Sequence, residues 1–90
     1  LDSHICMKIF YSARFERHYK KLPFEVKLKA EHRENIFRAD PFDFQLNTHK
    51  LHGKLKNQWS FSVDTTYRIL FEFDGSHVIF LDIGDHDLYK

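Results

Sequence analysis

A chain of 90 residues, 42% apolar and 30% charged, makes one small domain and leaves no room for a second. Ten Phe, four Tyr and one Trp against three Gly and two Pro exclude a disordered segment. No apolar run reaches the roughly 18 residues of a membrane span. The formal charge of +1 conceals an asymmetry: residues 8–38 carry +5, 39–48 carry −2, 49–68 carry +3 and 69–90 carry −4. Such a chain can turn a positive face to a polyanion while its total stays near neutral.

The first six residues, LDSHIC, precede a Met7 that opens a regular pattern, and they read as a vector-derived leader. Residues 7–90 are then the single domain. They lack cysteine, since Cys6 is the only one, so disulfides and cysteine-rich zinc frameworks drop out and a reducing, cytoplasmic setting is expected.

Lys8 to Tyr11 predicts a first strand and Ser12 an N-cap. Phe15, Tyr19 and Leu22 then mark one face of a helix that Pro23 interrupts. From Phe24 the stripe Val26, Ala30, Arg33 and Phe37 predicts a second helix ending before Asp40-Pro41, because proline disfavours a helical residue ahead of it. Pro41 to Gln58 has no clean period and is expected to be an irregular, basic connector holding His49 and His52. Period-two alternation then predicts three strands, over Trp59 to Val63, Tyr67 to Phe73 and Val78 to Ile83. Asp64-Thr65-Thr66 and Asp74-Gly75 supply the turns.

The expected class is α+β: a strand, a two-helix hairpin and a three-stranded antiparallel meander packed on the helices. Turns at those positions put Phe61 opposite Ile69 and Ser62 opposite Arg68. They put Phe71 opposite Val78, Ile69 opposite Phe80, Arg68 opposite Leu81 and Glu72 opposite His77. Phe61, Ile69, Phe71, Val78 and Phe80 form the face to be buried. Ser60, Ser62, Arg68, Leu70, Ile79 and Leu81 form a half-covered one with Arg68 at its middle.

No phosphate loop, nucleophile elbow or calcium loop is present, so nucleotide-dependent enzymes drop out. His49-x-x-His52 lacks a third ligand, and neither a metal nor another cofactor is expected. His18, His32 and His77 read as surface polar residues, whereas His49, His52 and His86 fall in or beside irregular segments. Cleavage of RNA by its own 2′-hydroxyl needs only a base, an acid and positive charge on the pentavalent phosphorane, which histidine and arginine provide. Arg68 on its strand suits the charge-stabilising role unless Glu72 or Asp82 pairs with it. His86 suits proton transfer, and Tyr89 offers a ring for base stacking or a phenol.

The string H-K-L-H-G-K-L (His49 to Leu55), the strand Y-R-I-L-F (Tyr67 to Phe71) and the ending L-D-I-G-D-H-D-L-Y (Leu81 to Tyr89) resemble the RelE/ParE superfamily of toxins from type II toxin/antitoxin pairs. The likeness is closest to RelE-like and YafQ-like mRNA interferases. It implies a ribosome-associated endoribonuclease that cleaves mRNA in the A site by metal-independent transesterification, contacts ribosomal RNA and is neutralised by a cognate antitoxin. Carried over residue by residue, it implies catalytic roles for His49, Arg68, His86 and Tyr89, with Lys50, His52, Lys54 and Lys56 gripping RNA phosphates. The central hairpin carries Ser62 and Thr66 where the YafQ-like pattern has a histidine and an aspartate, so the YafQ-type acid/base set is incomplete. Two other readings follow from the same resemblance: a ParE-like poison of DNA gyrase, and a catalytically decayed, antitoxin-binding relative.

Overall fold

The computed structural model describes residues 7–53, 57–85 and 88. The expected leader, residues 1–6, lies outside them, as do Lys54, Lys56, His86 and Tyr89. Among the described residues no helix is long and apolar enough to cross a membrane.

Strand β1 (Ile9–Tyr11) leads into helix α1 (Ala13–Lys20) through Ser12, whose Oγ accepts from the Phe15 amide at 3.0 Å and donates to the Leu81 carbonyl at 2.8 Å. One hydroxyl thus caps the helix and fastens its start to the last strand. Pro23 stands at the N-cap of helix α2 (Phe24–Ala39), which ends where Asp40 turns extended ahead of Pro41. Strands β2 (His49–Lys50), β3 (Trp59–Ser62), β4 (Arg68–Asp74) and β5 (His77–Gly84) complete the chain.

The five strands form one sheet in the order β1-β5-β4-β3-β2, with β1 parallel to β5 and every other neighbour antiparallel. The connector is therefore less irregular than the sequence suggests. It holds a 3-10 turn, Phe44–Leu46, and the edge strand β2. Asp43 accepts from the Gln45 amide to start the 3-10 turn, and Asn47 ends it at φ +51°. A two-residue strand is too short to show a period.

The β3–β4 register is the expected one, Phe61 with Ile69 and Ser62 with Arg68. Asp64 fixes the turn by accepting from the Thr66 and Tyr67 amides at 2.8 and 2.7 Å. The β4–β5 register differs from expectation. Asp74 pairs with His77, so the loop is Gly75-Ser76, with Gly75 at φ +62°; this is the glycine-first pattern of a type II′ turn rather than the Asp-Gly pattern of type I′. Phe71 consequently faces Phe80, Phe73 faces Val78 and Glu72 faces Ile79.

A bulge then intervenes. Leu70 pairs with Asp82, Ile69 with Ile83 and Arg68 with Gly84, leaving Leu81 as the extra residue on β5. The residue across from Arg68 is thus Gly84, not Leu81, and Arg68 lies at the start of its strand rather than in the middle of the face.

The expected core face is buried nonetheless, because a slip of two residues preserves sidedness. Phe61, Phe71 and Phe80 are sealed from solvent, and the bulge adds Ile83 to the same side. From α2, Phe37 reaches them with ring centroids 4.8, 4.9 and 5.5 Å from Phe61, Phe71 and Phe80. The opposite face is more covered than expected, with Ser60, Leu70 and Asp82 all buried in one row across β3, β4 and β5.

Candidate active site

Arg68 starts β4 between Ser62 of β3 and Gly84 of β5. It is half-buried, and it has no hydrogen-bond or ion-pair partner among the described residues. Neither carboxylate that the sequence offered it is paired with it; Asp82 is engaged by His18 and Arg14 instead. A strand-mounted guanidinium left unneutralised is ready for an external anion.

Two further cations converge on the same place. Lys29 and Arg33 stand one turn apart on α2 and share a cleft of about 500 Å³ with Arg68, Asn47, Ser62 and Asp64. Lys29 pairs with Asp64 at 3.4 Å, and Arg33 donates to the Gln45 carbonyl at 2.7 Å, holding the 3-10 turn against the helix. Burial pushes the Asp64 carboxyl up, but the Tyr67 and Thr66 amides and the Lys29 ammonium outweigh it and hold the group below the usual carboxylate range. Arg33 lies within the apolar stripe of α2. A charged residue in that stripe was the available sign that this helix face meets something polar.

His49 lies on β2 opposite Ser60, and so on the same sheet face as Ser62 and Arg68. Its ring is exposed, with Nδ1 3.0 Å from the Asn47 carbonyl. Two strand spacings, about 10 Å, separate β2 from the strand of Arg68. Lys50 points to the other face, its ammonium 5.9 Å from the Trp59 ring centre, and His52 is exposed beyond the strand end. The structure therefore gathers Arg68 with Lys29 and Arg33, places His49 on the same face but farther off, and turns Lys50 away. Among the described residues no three of His, Cys, Asp and Glu are grouped to hold a metal ion.

His18 differs most from its expected surface role. Its Nδ1 lies 2.6 Å from Oδ1 of Asp82, a buried carboxylate whose same oxygen accepts from the Ile83 amide at 2.8 Å. Arg14 approaches Oδ2 at 4.0 Å. A lone Asp within the apolar run of β5 was the sequence signal for this pair, since a carboxylate is rarely buried without donors.

No protein-family model matches the sequence, and no curated protein matches it. Solved structures do. A YoeB/ParE toxin from Agrobacterium tumefaciens superposes with a TM-score of 0.77 at 16% identity, covering 89% of this chain and 99% of the other. YafQ from E. coli gives 0.69 at 18%, covering 92% and 97%. The toxin-antitoxin complex RelBE2 from Mycobacterium tuberculosis gives 0.75 at 19%, covering 96% and 98%. At these identities the likeness is one of fold: two helices and a mainly antiparallel sheet arranged as in the RelE/ParE toxins.

Proposed function

We propose that this chain is the toxin of a toxin/antitoxin pair and cleaves mRNA on the ribosome by metal-independent attack of the 2′-hydroxyl on the adjacent phosphate. Support comes from the shared fold and, above all, from the guanidinium of Arg68, without a partner among the described residues, at a cleft that Lys29 and Arg33 line with it. In this reading Arg68 binds the non-bridging phosphate oxygens and stabilises the charge that develops on them. His49 and His86 are the acid/base pair, with Tyr89 stacking on a base near the cut. His52, Lys54 and Lys56 hold the RNA backbone alongside. The antitoxin is the expected protein partner, as in the complexes of similarly folded toxins from E. coli and M. tuberculosis.

Induced expression with mapping of mRNA 5′ ends tests the reading. Wild type should arrest growth and generate in-frame cuts, and Arg68→Ala should reduce cutting by about 10²–10³-fold, the typical cost of one transition-state donor. Growth arrest without new cuts would instead point to a gyrase poison of the ParE kind, and an inert wild type to a decayed relative.

A further inference from the structure

The proposed cleavage needs a base close to the charge-stabilising arginine. His49 stands on an edge strand two spacings from β4, whereas another histidine, His18, lines a cleft beside the strand that pairs with β4. Arg68 pairs with Gly84, whose Cα is about 5 Å away across the ladder. Gly84 also lines a cleft of about 350 Å³ together with Arg14, His18, Asp82, Asp85 and Leu88. A Cβ built on Gly84 would meet only Leu88, at 3.2 Å, and Asp82, two residues back on the same face, is the diagonal neighbour of Arg68 across the ladder.

We infer that His18, oriented by Asp82, is the general base of this site, in place of His49. The inference rests on the RNA-cleavage reading and adds to it a residue from α1 that neither the sequence motifs nor the fold likeness supplied. The chemistry follows from the hydrogen bonds. The Asp82 carboxylate only accepts, so His18 Nδ1 carries the hydrogen and donates it to Oδ1, and Nε2 of the neutral ring keeps its lone pair. The ring cannot swing freely, because Asp82 is buried and is fixed in turn by the Ile83 amide. His18 itself remains 40% exposed at its side chain, so Nε2 is reachable. Arg14, 65% exposed and 4.0 Å from Oδ2, brings a second guanidinium to the same cleft.

Nε2 takes the 2′-hydroxyl proton as the 2′-oxygen forms its bond to phosphorus. The bond from phosphorus to the 5′-oxygen breaks, and that oxygen leaves with a proton from His86, which this assignment makes the acid. The products are a 2′,3′-cyclic phosphate and a 5′-hydroxyl. The imidazolium formed on His18 is stabilised by Asp82, the orienting role a carboxylate plays beside a catalytic histidine.

A purely structural role, in which His18 merely satisfies a buried carboxylate, makes a different prediction. His18→Asn keeps an amide N–H near the position of Nδ1 and so keeps the bond to Asp82, but it deletes Nε2. We expect its thermal midpoint to stay close to wild type while cleavage of ribosome-bound mRNA falls by about 10²–10⁴-fold, the usual contribution of a positioned base.

A folded His18→Asn variant with the wild-type rate overturns the inference and leaves the nuclease reading standing. If wild type and variant are both inert on ribosome-bound mRNA, the nuclease reading itself fails and the base assignment falls with it. A second readout does not depend on turnover: the His18 ring resonances should shift when a 2′-deoxy RNA trinucleotide is added, and their constancy would contradict contact between His18 and substrate.

Discussion

Replacing Phe37 by alanine tests how the helices are held to the sheet. The side chain is fully buried and touches three equally buried rings, at 4.8, 4.9 and 5.5 Å between centroids. Truncation removes the burial of a whole phenyl ring and leaves a cavity that three rigid aromatic neighbours close poorly, so the cost belongs at the upper end of the 3–5 kcal/mol typical of such changes. A small domain has about 5–15 kcal/mol in total, so this one ring accounts for a third or more of it. Trp59, the single tryptophan, packs edge-on to Phe73 at 5.6 Å and reports unfolding directly. In urea, with a slope near 1 kcal/mol per molar for a domain this size, the midpoint should fall by about 3 M or more. A midpoint lowered by less than about 1 M would mean that α2 is not fastened through Phe37, and the packing argument would be wrong.

Two further outcomes follow from titratable groups. Asp64→Ala removes two backbone caps and the link to Lys29 and should cost about 1–2 kcal/mol at neutral pH. Because this carboxyl is held below its ordinary value, its contribution is present above that value, 3.8, and is lost as pH falls through the lower folded one, so the stability curves of wild type and variant should converge in acid. Burial, the hydrogen bond to Glu31 and the charges of Glu31 and Glu34 push the Tyr19 phenol up to about 12. Its contribution is complete below pH 10 and is lost as pH rises toward 12, so Tyr19→Phe should unfold with a shallower alkaline slope; parallel slopes would refute the assignment.

The helices and the inner sheet face were readable because each repeats a period over several turns or strand pairs. Val26, Ala30 and Phe37 are buried as their spacing requires, and Phe61 faces Ile69 because Asp64 specifies its turn. The hairpin after β4 was misjudged because both Asp74-Gly75 and Gly75-Ser76 are good turn sequences, and only tertiary packing chooses between them. The clusters around Arg68 and His18 were legible one member at a time. His18 and Asp82 are 64 positions apart, and no local pattern joins residues at that separation. Each did leave a trace: Arg33 interrupts an apolar helix stripe, and Asp82 an apolar strand.

The extra residue at Leu81 changes the phase of β5. Before it, even-numbered residues such as Val78 and Phe80 point inward; after it, the odd-numbered Ile83 does. Two alternation frames are thus spliced within one strand, and the splice sends Asp82 and Gly84 to the same side as Arg68. Carrying the first frame straight through, with Leu81 paired to Leu70, would drive the Asp82 carboxylate among the phenylalanines and expel Ile83. Straightening that one bulge would then undo both the core and the site, although every chemical group of both would still be in the chain.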